Sequence, residues 1–521
     1  VNEQTAAPAG PSRRKVVAAT ALAGAAGALP LAARPATAAP RAAEAVLRSD
    51  ALEVRVDTAF PRIVSYTDRG TGAVLHGGHT PVTQVLLDGT AHTPRVTHRT
   101  RADRATYTLG FDGGTRITVE IAVHGRRTTW RVTGITDTPA LRIGTLEIPG
   151  LALLAVRSDQ PGATLLAARI ALDKATSGDT LIRVTDATPA EATPTGCAYA
   201  VVATGQLAAG IDTNTCYDRP TGATTWENGR LWRQTVHGDG FVTAQLGCGQ
   251  WTHRAAGQPS ATGAPLATDP LPYATVIVTR DRNGDGTADW QDGAIALRDV
   301  MVRPLGAEEQ HLRVVPHIPF NFASQATNPF LATLDTVKRI ALATDGLRQF
   351  TLLKGYQSEG HDSAHPDYGG NYNERAGGLA DLNALLRAGK KWNSDFAVHV
   401  NATESYPVAH AFSEQLVDKN DKQWDWLDQS YRIDARRDLV SGDIARRFAQ
   451  LRAETDPALN TLYLDVFRES GWNSDRLQRH LRDQGWQITT EWGHGLERSA
   501  LWSHWANETD YGPDTSRGIN S

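Results

Sequence analysis

Sulfur is scarce in this chain: 521 residues include one Met and three Cys, at positions 197, 216 and 248. None of the three has a CxxC or metal-ligand spacing, which removes the cysteine-based metal and redox motifs. Cys197 and Cys216 could pair in an oxidising compartment and leave Cys248 alone; three buried free thiols fit the sequence equally well. An excess of one charge is also missing. Lys and Arg number 53 against 57 Asp and Glu, for a net charge of −4, and the signs are interspersed. No basic stripe points to nucleic acid, and no acidic tail points to disorder. Past the amino terminus no segment is long and apolar enough to span a bilayer. With 40% apolar and 21% charged residues, the composition is that of a globular protein. The length suggests about two to four domains.

Tryptophan, in contrast, is plentiful at 13 residues. Its broad apolar face and single N–H suit stacking on sugar rings, although for any one Trp a place in the core is the more ordinary role. The amino terminus has the layout of a targeting segment. Ser12-Arg13-Arg14-Lys15-Val16-Val17 is similar to a twin-arginine export motif. The Ala-rich run after it, to Ala33, is too weakly apolar and too broken by Gly and Pro for an anchor, and Ala36-Thr37-Ala38 supplies small residues for cleavage. Residues 1–38 are therefore expected to be a signal peptide, and the mature protein to be extracellular with no transmembrane anchor.

Residues 43–303 read as β-structure. Short alternating runs recur at Leu52–Val56, Arg116–Ile121 and Thr129–Val132, separated by Gly, Asp and Pro turns, which predicts an antiparallel β-sandwich. Within residues 304–521 the pattern changes from Leu312 onward. Apolar runs at Leu312–Phe320, Gln349–Tyr356, Asp395–Asn401, Thr461–Phe467 and Gln487–Trp492 alternate with amphipathic stretches near Leu334–Thr344, Leu379–Lys391, Ser441–Glu454 and Ser474–Asp483. Ser474 is expected to cap the last helix and Gly485 to end it in the left-handed region. Strands in series with helices between them predict a TIM-type (β/α)8 barrel. A closed barrel needs eight such units in about 250 residues. Five are readable, so the chain is expected to stop inside its barrel.

Polar residues gather where these strands end: Lys354, Glu359, His361 and Asp362 after the second, Asn401 and Glu404 after the third, Asp465 and Glu491 at the ends of the fourth and fifth. In a barrel such positions converge on the face where active sites form. Any single carboxylate there is more ordinarily a salt-bridge partner; their joint occurrence is what points to chemistry. Asp465 and Glu491 belong to one βαβ unit, and neighbouring parallel strands lie about 4.8 Å apart. Their carboxyls could thus come within the roughly 5–5.5 Å of a retaining glycosidase pair, whereas inversion needs about 6.5–9.5 Å. Rotamers shift such distances by several ångströms.

Several longer blocks carry a resemblance. They are Pro319-Phe320-Asn321-Phe322-Ala323-Ser324-Gln325, Ser358-Glu359-Gly360-His361-Asp362-Ser363, Gly369-Gly370-Asn371-Tyr372-Asn373-Glu374-Arg375 and Trp424-Asp425-Trp426-Leu427-Asp428-Gln429. Further along come Tyr463-Leu464-Asp465-Val466-Phe467, Glu491-Trp492-Gly493-His494-Gly495, His504-Trp505-Ala506 and Gly518-Ile519-Asn520-Ser521. In this order, across about Asp281 to Ser521, the chain resembles the endo-α-N-acetylgalactosaminidases of glycoside hydrolase family 101. The resemblance implies release of the core 1 disaccharide Galβ1-3GalNAc from Ser or Thr of mucin-type O-glycoproteins, with retention of configuration. It implies Asp465 as nucleophile and Glu491 as general acid/base. It also implies His361, Asp362 and Asn420 as disaccharide-binding residues, with Trp424 and Trp426 closing over the sugar. The preceding β-region is then expected to be of the galactose-mutarotase-like type. No organic cofactor is expected.

A separate motif spans residues 281–292. Asp281, Asn283, Asp285, Thr287, Asp289 and Asp292 fall at positions 1, 3, 5, 7, 9 and 12 of an EF-hand-like Ca²⁺ loop, with Gly286 at the sharp turn. Asp292 replaces the usual Glu. The plainer alternative is an acidic turn that binds nothing. Two other readings of the whole chain compete with the glycosidase. A non-catalytic glycan-binding or adhesion protein, or an inactive fragment of the enzyme, would keep the Trp residues. A metallohydrolase would use His361, Asp362, His399 and His494, but no H-E-x-x-H-type spacing supports it.

Overall fold

The computed structural model describes residues 43–168, 179–216, 229–254, 268–322, 327–467, 469, 471–491 and 493–503. The expected leader at 1–38, Trp492 and the blocks at 504–506 and 518–521 lie outside the described residues.

Every strand pairing between residues 44 and 279 is antiparallel. The strands form an eight-stranded and a nine-stranded sheet, with a small four-stranded sheet beside them. Alternation sets the inner faces. In Arg104–Gly110 only Ala105, Tyr107 and Leu109 are buried, and they register with Ile121, Val119 and Ile117 of the neighbouring strand. A period of two puts one side of each strand into the core and leaves the other for solvent. The three runs read from the sequence are strands here, at Leu52–Asp57, Arg116–His124 and Arg127–Thr136. Trp130 and Trp251 stack at 5.4 Å in this core, and Trp130 Nε1 donates to the Pro61 carbonyl at 2.9 Å. Most described Trp are thus core residues; Trp290, Trp424 and Trp426 are exposed.

Cys197, Cys216 and Cys248 are buried free thiols, so Cys197 and Cys216 do not pair. Burial pushes the Cys197 and Cys248 thiols up to about 12, which keeps them uncharged and unreactive.

Loop 281–292 leads from the sandwich into helix α1 (Trp290–Leu297). Asp281 accepts from the N–H groups of Gly284 and Gly286 at 2.7 Å each. Asp289 caps the helix, and Asp292 completes a capping box. The buried Asp292 carboxylate accepts from the N–H groups of Arg282, Asn283 and Asp289. Burial pushes its acidity down, yet these backbone donors prevail and its pKa is lowered. Helix α1 lies close on the strand Ala208–Thr213. A Cβ on Gly210 would stand 2.8 Å from Leu297 Cβ, so only glycine fits there.

Six parallel strands follow in sequence order: β1 (Val315–His317), β2 (Gln349–Leu353), β3 (Ser394–Asn401), β4 (Leu459–Asp465), β5 (Gln487–Thr490) and β6 (Ala500–Ser503). Helices α2 (Phe330–Ala343), α3 (Gly378–Gly389), α4 (Ala435–Ser441), α5 (Asp443–Glu454), α6 (Gly471–Asp483) and α7 (Gly493–Leu496) connect them. This is the progression of a (β/α) barrel, with β1 and β6 at the two edges among the described residues. One strand, β6, goes beyond the five expected. The first strand is shorter than read: it ends at His317, two residues before Pro319, and Leu312, Val314 and Ile318 are exposed. The helix expected at 441–454 is α5, and Gly442 (φ +76°) separates it from α4, a short helix the sequence reading did not include. The cap expected at Ser474 is corrected: α6 starts at Gly471, and Ser474 is buried inside it with its hydroxyl donating to the Glu469 carbonyl at 2.6 Å. Gly485 does end that helix, at φ +78°. A three-stranded antiparallel sheet (Glu404–Ser405, Val417–Asp425, Gln429–Ile433) is inserted after β3.

Candidate active site

Alternation along the parallel strands decides which side chains enter the barrel. Phe350 and Leu352 of β2, Ala397 of β3 and Tyr463 of β4 form one small apolar cluster, with Trp502 of β6 packed against it. Two residues further on, at the carboxyl ends of β3 and β4, the same inward face carries His399 and Asp465. His399 stacks on Tyr463 at 5.6 Å, above an apolar floor that admits little water.

Asp465 and Glu491 occupy matching positions. The last registered pair of β4 and β5 is Leu464 with Thr490, so each carboxylate is the next residue along its chain. The backbone then turns sharply at Val466, which takes φ +51°. A β-branched residue in that region is strained. The Val466 N–H donates to Glu491 Oε2 at 3.0 Å, which brings the Glu491 carboxyl beside the Asp465–Val466 peptide. The Glu491 backbone is held on both sides: its N–H donates to the Leu464 carbonyl at 3.1 Å, and its carbonyl accepts from Ser503 Oγ at 3.0 Å.

A second group faces this pair. His399 Nε2 lies 2.9 Å from Asp465 Oδ2, out of line for a hydrogen bond. Asp362, at φ +55°, sits between His361 and His365, each with its Nε2 3.2 Å from a different carboxylate oxygen. Burial opposes ionisation of Asp362, but the His365 hydrogen bond and the nearby His361 hold it well below the usual carboxylate range. Burial first, and His399 second, lower His361 to about 3; burial and Lys354 lower His399 far below its ordinary value. Both imidazoles are therefore neutral at neutral pH. His361, Asp362 and His399 each offer a ligand atom, all within 4.8 Å of one another, so a divalent ion has three possible donors there. Asp362 is already engaged by two histidines.

Aromatic rings extend the site outward. Phe320 and Phe322 stack at 4.4 Å beside His361, and Trp426 meets Phe322 edge-on at 5.8 Å. Trp424 and Trp426 are both exposed, on the hairpin of the inserted sheet. Asn420 is exposed on the same hairpin, where its N–H bonds locally to Asp418. The structure thus gathers His361, Asp362, His399, Asp465 and Glu491, reaches Trp426 through Phe322, and leaves Asn420 and Trp424 on the rim. Glu359 is exposed on its turn, and Asn401 accepts from the N–H groups of Thr403 and Glu404, shaping the loop. The side chain of His494 lies outside the described residues. Sequence reasoning missed His365, whose only signal is its place three residues after Asp362. It also gave Glu404 no role. Glu404 is 5% exposed and accepts from Ser430 Oγ at 3.2 Å.

Carboxylates at adjacent strand ends, an aromatic rim and an antiparallel sandwich ahead of the parallel strands fit the layout expected of a glycoside hydrolase barrel behind a mutarotase-like domain. Residues 47–290 match the galactose mutarotase-like fold domain, and residues 291–521 match the profile described as endo-alpha-N-acetylgalactosaminidase. Over the latter residues the chain is similar to glycoside hydrolase family 101. A protein of Renibacterium salmoninarum named "Putative endo-alpha-N-acetylgalactosaminidase" is 42% identical over 483 residues, which is 91% of this chain and 32% of that protein. The chain thus spans about a third of the length of that curated relative. Among solved structures, the GH36 alpha-galactosidases AgaB and AgaA of Geobacillus stearothermophilus share the fold. Each is 11% identical, with TM-scores of 0.54 and 0.52, covering 87% and 86% of this chain and 72% of theirs.

Glu404 gives a test of the site's interior. Burial, then the charge of Asp362, push its carboxyl from 4.5 up to about 7. Between those values the native state keeps a proton that the unfolded chain has released, so stability falls as pH rises through the window. Asp362, His365, Asp465 and Ser430 are the groups that act on it. Glu404→Gln cannot ionise. Its stability relative to the parent protein should therefore rise as pH goes from about 4.5 to about 7, by up to about 3 kcal/mol. Denaturant melts of both proteins across that range check this; a constant difference would contradict the buried, protonated carboxyl.

Proposed function

We propose that the chain is a retaining endo-α-N-acetylgalactosaminidase that releases Galβ1-3GalNAc from Ser or Thr of mucin-type O-glycoproteins. The observation that supports it most is the pair of carboxyl groups at matching ends of adjacent strands, drawn together by the Val466 N–H to Glu491 hydrogen bond. In this reading Asp465 attacks the anomeric carbon of GalNAc while Glu491 gives its proton to the departing Ser or Thr oxygen. The carbon–oxygen bond breaks and a glycosyl ester on Asp465 forms. Glu491 then takes a proton from water, which attacks the same carbon and frees Asp465. His361 and Asp362 bind sugar hydroxyls at the inner end, neutral His399 braces Asp465, and Asn420, Trp424 and Trp426 close the outer end.

Two substitutions separate the roles. Asp465→Asn should lose activity on every substrate. Glu491→Gln should fail on serine-linked sugar but keep its first step on an aryl glycoside, whose leaving group departs unaided. Azide needs no general base and should speed the turnover of Glu491→Gln. An α-glycosyl azide supports double displacement; a β-azide, or equal losses in both variants on both substrates, removes Asp465 as nucleophile.

The rim is tested separately. Trp426, 38% exposed, has a face free for a sugar ring. If that face contributes about 1 kcal/mol or more on covering the ligand, Trp426→Ala should raise KM at least about fivefold with an unchanged melting curve. An unchanged KM would make this Trp an ordinary surface residue.

We assign a structural Ca²⁺ to loop 281–292. Asp281, Asn283, Asp285 and Asp289 would supply side-chain oxygens and Thr287 its carbonyl. Gly284 and Gly286, at φ +83° and +90°, let the loop wrap. Asp292, already accepting three backbone N–H groups, shapes the loop and could add at most a partial contact. A ligand bound only by the native state stabilises by mass action, about 2.7 kcal/mol at one hundred times its Kd. Chelator should lower Tm and added Ca²⁺ should restore it; a melting curve indifferent to both would leave the loop a metal-free turn.

A further inference from the structure

The barrel segment that carries both carboxylates is fastened to the sandwich at two points. One lies on α6, the helix between β4 and β5. Asp269, just ahead of the sandwich strand Tyr273–Thr279, accepts from Trp472 Nε1 at 3.0 Å, Arg476 Nη1 at 3.2 Å and Arg479 Nη2 at 2.5 Å. The other lies immediately after Glu491. Arg230, at the start of the sandwich strand Leu231–Gly238, is 3% exposed. Its Nη1 donates to Asp212 Oδ1 at 3.1 Å and its Nε to Glu497 Oε1 at 3.0 Å. Arg498 Nη2 closes the group on Asp212 Oδ2 at 3.3 Å. Glu497 and Arg498 follow α7, the short helix that begins two residues after Glu491.

The group contains two positive and two negative charges in a buried seam. Burying such charges costs about as much as their attraction returns, and apolar residues of similar size would often be as stable. What a buried ion group supplies that an apolar patch does not is direction: a guanidinium with fixed donors sets the position of its carboxylate partners. Here the partner that matters is Glu497. The α7 turn between it and Glu491 has little freedom of its own. Gln478 Nε2 donates to the Gly495 carbonyl at 2.9 Å, and a Cβ on Gly495 would stand 2.2 Å from the Glu469 carbonyl oxygen. Glu491 is thus held at its own backbone by β4 and β6, α7 is held by Gln478 and Glu469, and Glu497 just after it is held by the sandwich.

We propose that Arg230 is a positioning residue for the general acid/base: through Glu497 it fixes α7, and so the placing of the Glu491 carboxyl against the leaving-group oxygen. This rests on the reading of Glu491 given above. The sandwich would then take part in proton transfer to the leaving group without touching substrate.

The test compares two leaving groups in the full-length protein: a serine-linked glycopeptide, which needs a proton, and a nitrophenyl glycoside, which does not. Arg230→Met should lose at least tenfold more kcat on the glycopeptide than on the nitrophenyl substrate, with KM little changed. Arg230→Lys should recover part of that loss, and Glu497→Gln, which keeps its volume, should show the same selectivity if Arg230→Met fails to fold. Melting curves confirm that each variant is folded. Equal losses on both substrates, or none, overturn the proposal, since general loosening of the interface would not discriminate between leaving groups. Glu491→Gln runs alongside. If it discriminates and the Arg230 and Glu497 variants do not, the inference about Arg230 alone falls. If Glu491→Gln fails to discriminate, the acid/base reading falls and takes the inference with it.

Discussion

The parallel pairing of β4 with β5 is the constraint on which the rest of the site depends. Its register ends at Leu464 and Thr490, so Asp465 and Glu491 are the first residues beyond it on each strand. Strands about 4.8 Å apart set the scale of that meeting, and the Val466 N–H sets its direction. The left-handed conformation of a β-branched residue is an unfavourable local choice. It is tolerated because its neighbours over-determine it: Val466 donates to Glu491 while its own carbonyl accepts from Thr403 Oγ1 at 2.9 Å, in the loop after β3. The same few atoms therefore tie three strand ends together.

Below this point the barrel is packed with Tyr463, Phe350 and Trp502, and that packing governs the electrostatics above it. A dry floor makes charge costly, so the histidines nearest to it, His361 and His399, are neutral, and Glu404 keeps its proton toward neutrality. Asp362 is the exception, ionised because His361 and His365 face its two oxygens. The result is a site in which one carboxylate, Asp362, is held between His365 and His361, while Asp465 and Glu491 stand beside each other at the ends of β4 and β5.

How much of this could be read from the sequence follows from what each element depends on. The carboxylates at the ends of β4 and β5 were readable because Tyr463-Leu464-Asp465 sits in an apolar run with an amphipathic helix behind it, the alternation of a βα unit. The hairpin Val417–Ile433 was not, because Asp418, Lys419, Asn420 and Lys422 expose it and leave no apolar alternation to detect. Ser474 looked like a cap since serine favours that position, but burial of Trp472 drew the helix start back to Gly471. Asp292 fits a ligand position by spacing, and the three backbone N–H groups it also accepts from are a property of the folded loop that spacing does not show. Glu404 looked like one more polar residue at a strand end, because burial is a property of the assembled barrel. Arg230 had no signal at all, since its partner Glu497 lies 267 residues away.

That separation explains why a mutarotase-like sandwich stands ahead of a barrel. A (β/α) unit can place side chains at strand ends by itself, and α7, only four residues long, is held on its barrel side by buried Leu496 and the Gln478 hydrogen bond, while Glu497 beyond it is held by the sandwich. Apolar contact with the sandwich would add adhesion without fixing the angle. Ion pairs with donors in a rigid plane fix the angle at little net gain in stability. Asp269 and Arg230, both of the sandwich, hold α6 and the segment after α7, the elements that follow β4 and β5. The sandwich in this arrangement is the frame against which the segment after β5 is set, and its buried charges are the part of the frame that carries geometry.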